Sequence, residues 1–391
     1  MPSPTPVGTI RRAGIAAAAA IAPLGLAYRF ALAYRVRAGF PRRTPPRITP
    51  ADLGLPFESM LIESDGLPLP AWFIPAKGGA PGPGIVLVHG WESARDRTLP
   101  MAVFLHAAGF HCLTFDVRGH GANPAETDPI SAGEFGLDAL AGYHAILERP
   151  EVTRAAISGH SMGAIGAILA AAADPSVAAV VATSAPADPY RLTRQTFRLA
   201  RLPIPDVIAY PLAWLTTHVY VRPRHHVVRE IDASRAIARY DGPILLAHGS
   251  EDVVVPPAHL ERLRRAATSA RATESDPAPI ETLVMEGGQH SWLYEFPAYR
   301  AAVASFLATA LGGPLSAADA GRIAAETPAE RIPDGEVRFA AVAHEPGGLR
   351  TLARVALPGA TQPTIRDETG IPGPPPQPVA AMVGIHDETG A

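Results

Sequence analysis

Short apolar runs and longer amphipathic stretches alternate through most of the chain. Apolar runs of strand length occur at 84–90, 110–116, 154–159, 177–185, 242–249 and 280–286. Between most of them lie stretches typical of helices, at 95–108, 132–148, 162–173, 257–269 and 297–311. Continuous apolar runs are typical of strands buried on both faces, and strands that alternate with helices indicate right-handed crossovers. The pattern predicts an α/β fold with a mostly parallel sheet flanked by helices.

Two features depart from this alternation. Asp65-Gly66 lies between two apolar runs ahead of the first of these strands, and this dipeptide favours a tight β-hairpin. Residues 187–241 separate two strands by far more chain than a crossover needs, and they contain helical patterns of their own. We therefore expect a main domain over 57–311 with a helical cap, 187–241, inserted into it.

Both ends of the chain differ from this domain in composition. Residues 1–40 contain an uncharged, alanine-rich run flanked by arginines, which predicts a membrane anchor or signal-like segment. A cleaved signal peptide of a secreted protein and a soluble helix of a cytoplasmic one are the alternatives. Residues 312–391 are rich in proline and glycine, which predicts a disordered tail. The tail repeats a DETG element, at 367–370 and 387–390.

Composition narrows the possible partners. The net charge of −3 gives no general attraction to nucleic acid, so no such partner is expected. Cys112 is the only cysteine, which excludes an internal disulfide and a thiolate-based metal site. It lies in an apolar run, so we expect an inert core thiol. The pair His225 and His226 has no acids at metal-ligand spacing, and we expect neither metal nor cofactor.

The chemistry centres on the segment GHSMG, residues 159–163, which joins a predicted strand to a predicted helix. The pattern G-x-S-x-G at such a junction is typical of a nucleophile elbow. A sharp turn would expose the Ser161 hydroxyl, and side chains in place of Gly159 and Gly163 would collide with neighbouring elements. The helix start would also supply a positive dipole for an anionic intermediate. The alternative is that Ser161 merely caps the helix.

A serine nucleophile needs a base, and the base needs an acid that orients it. At a nucleophile elbow these follow the serine along the chain, acid first and histidine second. Asp252 lies just beyond one predicted strand and His290 just beyond the next. Because catalytic groups gather at the carboxyl ends of parallel strands, we expect all three side chains to meet. Glu251 is the main rival for the acid, and a helix-capping Asp252 or an ordinary loop histidine at 290 are the alternatives.

An oxyanion hole needs two backbone donors. We expect one to be the N–H of Met162, directly after the nucleophile. The second is expected from Trp91, which follows the strand that ends at His89-Gly90. The Trp91 side chain would either line the acyl pocket or simply pack in the core.

In its motifs the chain resembles the α/β-hydrolase superfamily. The matching motifs are HGW at 89–91, DVRGHG at 116–121, GHSMG at 159–163, HGSEDVVVP at 248–256 and GGQHS at 287–291. Within the superfamily the chain is similar to the serine aminopeptidase-like (S33-type) and small-esterase branches. The resemblance covers residues 57–311 and implies an eight-stranded, mostly parallel sheet and a cofactor-free Ser–His–Asp mechanism. It also implies the Trp91 and Met162 amides as oxyanion donors, but it implies no particular substrate.

The predicted cap carries a possible lipid-facing surface. Its first part places arginines on one face of a helix, at positions 191, 194, 198 and 201. An apolar run with Tyr210, Trp214 and Tyr220 follows. One interpretation is a solvated face beside a packed one. The other is a cap that meets an anionic membrane and admits lipophilic substrates.

Together these features predict a serine hydrolase, with catalytic Ser161, Asp252 and His290, acting on an ester or related acyl bond of a small molecule. The other conspicuous histidines, His120 and His160, are expected to shape loops rather than react. Acyl transfer or perhydrolysis at the same residues is one alternative. A non-catalytic binding protein on this fold is another, and the complete nucleophile, base and acid set disfavours it.

Overall fold

A computed structural model describes residues 22, 25, 39–188, 190–191, 205–215, 218–219 and 226–332. Its eight strands are β1 Glu58–Ser64, β2 Leu67–Ile74, β3 Gly82–Val88, β4 His111–Phe115, β5 Val152–His160, β6 Val180–Thr183, β7 Ile244–Gly249 and β8 Ile280–Met285. The helices of these residues are α1 Leu99–Ala107, α2 Ala132–Leu147, α3 Met162–Ala173, α4 Asp206–Leu215, α5 Ala233–Ile237, α6 Ala258–Ala270, α7 Pro297–Leu311 and α8 Ala317–Glu326.

All eight strands form one sheet in the order β1-β2-β4-β3-β5-β6-β7-β8. The pairs β1/β2 and β2/β4 are antiparallel, and every other pair is parallel. The predicted hairpin is present, with Ser64 opposite Leu67 and positive φ angles of 51° at Asp65 and 76° at Gly66. Two positive φ angles fit the twist of paired strands, which explains the Asp-Gly dipeptide. The prediction of an eight-stranded, mostly parallel sheet flanked by helices is confirmed.

Helices cover both faces of the sheet and enclose two apolar clusters. Successive residues of β3 belong to different clusters: Val86 and Val88 lie in one, Ile85 and Leu87 in the other. The first includes residues of α2, α3, α5 and α6, and the second includes residues of α1, α7 and α8. Burial on both faces is the physical reason why the parallel strands read as continuous apolar runs.

The folded region extends beyond residue 311, the boundary that we expected from the sequence. Helix α8 packs on α7 and buries Ala320 and Ala324 completely. A Cβ at Gly321 would lie 2.2 Å from Oγ of Ser305, so the two helices approach closely. The buried face of this helix is formed by alanine and glycine, and the helix lies in a stretch whose proline and glycine content predicted a disordered tail. Residues 333–391, the rest of the predicted tail, lie outside the described residues.

The predicted N-terminal and cap segments are described only in part. Residues 1–38, apart from 22 and 25, lie outside the described residues. So do Arg194, Arg198, Arg201, Tyr220 and His225, and the basic stripe stays a prediction. Of the helices that the structure does describe, none has both the length and the apolar character needed to cross a bilayer. Helix α4 lies within the insertion, whose returning end places Nε2 of His226 3.2 Å from Oε1 of Glu134 on α2.

Candidate active site

Ser161 occupies a strained turn between β5 and α3. Its φ is 54° and its ψ −116°, a conformation that side-chain-bearing residues rarely adopt. It holds the N-cap position of α3, yet its side chain makes no capping hydrogen bond. The hydroxyl is instead directed to His290. The geometry therefore disfavours the interpretation of Ser161 as a simple helix cap.

The two glycines around Ser161 are required by sterics. A Cβ at Gly159 would lie 2.2 Å from the carbonyl oxygen of Gly163. A Cβ at Gly163 would lie 2.3 Å from the carbonyl oxygen of Val88 on the neighbouring strand. Both obstacles are backbone atoms, which cannot move without disturbing the sheet. The two glycines of the G-x-S-x-G pattern thus allow β5, α3 and β3 to contact one another around the serine.

The structure brings Ser161, His290 and Asp252 together. Nε2 of His290 lies 3.1 Å from Oγ of Ser161, and Nδ1 lies 2.8 Å from Oδ2 of Asp252. Because a carboxylate only accepts hydrogen bonds, the imidazole donates through Nδ1, which leaves Nε2 as the acceptor for the serine hydroxyl. The side chains of His290 and Asp252 are fully buried. This arrangement can remove a proton from Ser161.

Backbone donors fix the second oxygen of Asp252. Oδ1 accepts from the N–H groups of Val254, at 2.9 Å, and Val255, at 2.8 Å. Burial alone would raise the pKa of this carboxyl, but the charge and hydrogen bonds of His290 and His248 outweigh it, and the pKa lies below the ordinary value. Glu251, the rival acid, is exposed. Asp252 is therefore the carboxylate that contacts the histidine.

His248 also contacts Asp252, and the sequence analysis assigned it no role. Its Nε2 lies 2.6 Å from the carbonyl oxygen of Val255 and 3.2 Å from Oδ2 of Asp252. A carbonyl oxygen cannot donate, so Nε2 carries the hydrogen. His248 is buried at the end of β7, four residues before the acid. Its place in the HGSED motif, at the end of the strand that precedes Asp252, is the signal that could have revealed it.

His160 connects the elbow to the loop that carries His290. Its Nε2 donates to the carbonyl oxygen of His290 over 2.8 Å. Burial, followed by the neighbouring His290, lowers the pKa of His160 to about 3. A neutral imidazole that donates to the backbone orients the loop and is not available as a base. This geometry matches the expectation that His160 shapes the site.

The expected oxyanion donors are the amide of Met162, which follows the serine in the chain, and that of Trp91, which follows Gly90 beside the elbow. Met162 is the first residue of α3, where backbone N–H groups have no partner within the helix. Gly90, next to Trp91, is so close to the elbow that its Cβ would lie 3.5 Å from Cβ of Ser161. The indole of Trp91 packs on Phe135, with ring centroids 6.4 Å apart. The indole thus contributes to packing, and the roles of the two amides stay predictions.

The loop after Trp91 is held by the N-terminal part of the described chain. Glu92 is fully buried, with φ of 52°. Its Oε1 accepts from the backbone N–H of Arg42 over 3.0 Å.

Two further residues match structural expectations. Nδ1 of His120 lies 2.9 Å from the carbonyl oxygen of Arg118, as expected of a structural histidine. On the other face, buried Cys112 has a raised pKa, caused by its burial, which suits an inert thiol.

The sequence profile of the alpha/beta hydrolase family matches residues 85–306, more than half of the chain. The chain belongs to this family. An esterase of Pyrococcus furiosus has a similar structure, with a TM-score of 0.54 and 22% identity over 71% of this chain and 99% of the esterase. At that identity the likeness shows the alpha/beta hydrolase fold alone.

Two relatives are similar in sequence. An uncharacterized protein of Mycobacterium tuberculosis is 30% identical over 210 residues, which make up 53% of this chain and 66% of the relative. A diacylglycerol lipase of Xenopus tropicalis is 31% identical over 101 residues, 26% of this chain and 30% of the lipase. Both matches leave a third or more of the relative's length without a counterpart.

Proposed function

We propose that this alpha/beta hydrolase cleaves an ester or related acyl bond through a covalent intermediate on Ser161. The observation that carries the proposal is the continuous contact from Oγ of Ser161 to Nε2 of His290, 3.1 Å, and from Nδ1 to Asp252, 2.8 Å. A serine in a strained elbow, a histidine with the correct nitrogen facing it and a buried carboxylate behind it are the three parts that acyl transfer to serine requires.

In the proposed reaction His290 takes the proton of Ser161 as Oγ attacks the substrate carbonyl carbon. Asp252 stays ionised and stabilises the imidazolium that forms. The backbone N–H groups of Met162 and Trp91 would stabilise the oxyanion. The imidazolium then gives its proton to the leaving alcohol, which departs and leaves an acyl-serine. Water, deprotonated by His290, attacks the acyl group and releases the acid and free Ser161.

A lipophilic acyl substrate is the finer part of the proposal. The described side chains of α4 include Val207, Ile208 and Trp214, which are exposed by 78%, 56% and 53%. Exposed apolar side chains on an inserted segment are typical of surfaces that meet apolar ligands or lipid. The likeness to a diacylglycerol lipase supports the same class of substrate.

The test is Ser161→Ala, assayed with p-nitrophenyl esters of increasing acyl length. We expect a loss of kcat of at least about a thousandfold, because the nucleophile is removed. The wild type should also react with a fluorophosphonate probe at Ser161. Ser158→Ala, which removes another buried hydroxyl of β5, is the matched control and should stay close to wild type. Near-wild-type turnover by Ser161→Ala would contradict the mechanism, and activity that does not vary with acyl length would contradict the preference for a lipophilic acyl group.

A further inference from the structure

We propose that the chain beyond α7 positions the base of the reaction, with Arg331 as the positioning residue. The inference rests on the proposed role of His290. Residues 286–295, which carry His290, are called the histidine loop below. Residues 324–332, the end of α8 and the segment after it, are called the C-terminal clamp. The clamp lies beyond residues 85–306, where the family profile matches.

Arg331 holds the histidine loop through its guanidinium. Nε and Nη2 donate to the two carboxylate oxygens of Glu295 over 2.8 and 2.7 Å, and the Arg331 backbone N–H donates to Oε1 over 3.2 Å. The centre of the guanidinium lies 3.7 Å from the ring centroid of Trp292. A bidentate ion pair combined with stacking on an indole fixes orientation more strongly than either contact alone. Arg331 thus restrains the loop at two residues.

Trp292 transmits this restraint toward the reacting group. It is the second residue after His290, is buried and has φ of 64°, so the chain turns sharply there. Together with His160 it lines a pocket that also borders Gly90 and Gly159. The carbonyl oxygen of His290 is itself bonded to His160. The backbone of His290 is therefore restrained by His160 on one side and by the Trp292 turn on the other.

A second arginine joins the clamp to the same loop. Nη1 of Arg300 donates to the carbonyl oxygens of Tyr294 and Glu295, both over 2.8 Å. Its Nε and Nη2 donate to the carbonyl oxygens of Ala324 and Ala325 over 3.0 and 2.7 Å. Carbonyl groups at the end of a helix lack partners within it, and a cation satisfies them. Arg300 thereby ties the end of α8 to the histidine loop.

The clamp is also anchored independently of the loop. Ala329 and Ile332 are buried in the apolar cluster on the α1 and α7 side of the sheet. Arg97 donates to the carbonyl oxygen of Ile332. An anchored segment that contacts the loop through polar groups suits positioning, since a stable scaffold then sets the angle of the imidazole. Loss of the Arg331 contacts should consequently affect catalysis more than folding.

The test uses the full chain with Arg331→Ala. We expect kcat to fall roughly tenfold with KM within about twofold of wild type, because a misplaced base slows the chemical step and leaves binding intact. Labelling of Ser161 by a fluorophosphonate should slow by a similar factor. Arg331→Lys, which keeps the charge but loses the bidentate contact, should recover part of the rate. Glu295→Gln, which keeps the shape and removes the charge, should lie between Arg331→Ala and wild type.

The matched control is Arg264→Ala. Arg264 makes a similarly exposed bidentate pair with Glu261 on α6, over 2.7 and 2.8 Å. If Arg331→Ala and Arg264→Ala have the same kcat, the positioning role is wrong. Should Arg331→Ala not fold, equal kcat in Glu295→Gln and wild type would overturn the inference in the same way. Failure of the proposed function is recognised separately, since Ser161→Ala would then remain active.

Discussion

The elbow around Ser161 and the histidine loop are positioned by different physics. The elbow is set by backbone sterics, because a Cβ at Gly159 or Gly163 would collide with backbone atoms of α3 or of the neighbouring strand β3. The histidine loop is set by side chains from distant parts of the chain, among them His160 and Arg331. The nucleophile is therefore placed by close backbone contacts, whereas the base is placed by side-chain contacts that can be altered one at a time. Changes to the first should cost folding, and changes to the second should cost rate.

The largest effect is expected for Gly163→Ala. The new Cβ would lie 2.3 Å from the Val88 carbonyl oxygen and 2.5 Å from that of His89. Since strand and helix must separate to admit it, we expect a loss of about 3 kcal/mol or more in the free energy of unfolding, measured by urea denaturation. Gly82→Ala on β3 is the control, because its Cβ would meet nothing closer than 3.7 Å. Equal stability of the two variants would show that the elbow is not sterically fixed.

A smaller effect, seen chiefly in the rate, is expected for His248→Phe, which also removes the donor to the Val255 carbonyl. The ring is kept, but the N–H near Oδ2 of Asp252 is lost, so the carboxylate is less firmly oriented toward His290. We expect kcat to fall about tenfold, or about 1.4 kcal/mol in activation free energy. His248→Gln retains a donor and should recover part of the loss. Wild-type kcat in His248→Phe would mean that the two backbone donors to Oδ1 suffice.

The smallest effect is expected from a change of pH. It concerns the free energy of unfolding and acts through His259, on the side of the site that holds Asp252 and His248. Burial, with a contribution from His248, lowers the pKa of His259 from 6.5 to about 4, and its Nδ1 accepts from the N–H of Ala187. The stabilisation from a neutral His259 is complete above pH 6.5 and is lost as the pH falls toward 4. We expect the free energy of unfolding to fall by about 1 kcal/mol per pH unit from this residue. His259→Gln should reduce the difference measured between pH 7 and pH 5, and an unchanged difference would contradict the assignment.

The same contrast explains what could be predicted from the sequence. Strand and helix positions followed from apolar periodicity, and the contact of Ser161, Asp252 and His290 followed from their places after β5, β7 and β8. These features depend on local pattern and on the rule that strand ends share one edge. Their catalytic roles remain proposals.

The side-chain contacts that place the base could not be predicted in this way. His248 lies in the HGSED motif ahead of the acid, but its contacts with Asp252 and with the Val255 carbonyl depend on the conformation of the loop after β7. Arg331 lies in a stretch whose composition indicated a disordered tail, and its partner Glu295 lies far away in sequence. A bond between such residues depends on the packing of α8 against α7 through small residues, and a local pattern does not show which helix another helix will contact.

The hydrogen bond from Arg42 to Glu92 connects the N-terminal end of the folded domain to the site, and the ion pair of Arg331 with Glu295 connects the C-terminal end. The first contact holds the loop beside Trp91, and the second holds the loop that carries His290. A pulling force on either flanking segment would load these contacts together with the Gly39–Ile130 and Ile332–Arg97 hydrogen bonds that lie nearer the ends. Both ends of the hydrolase domain are thus tied to the loops where acyl transfer is proposed to occur.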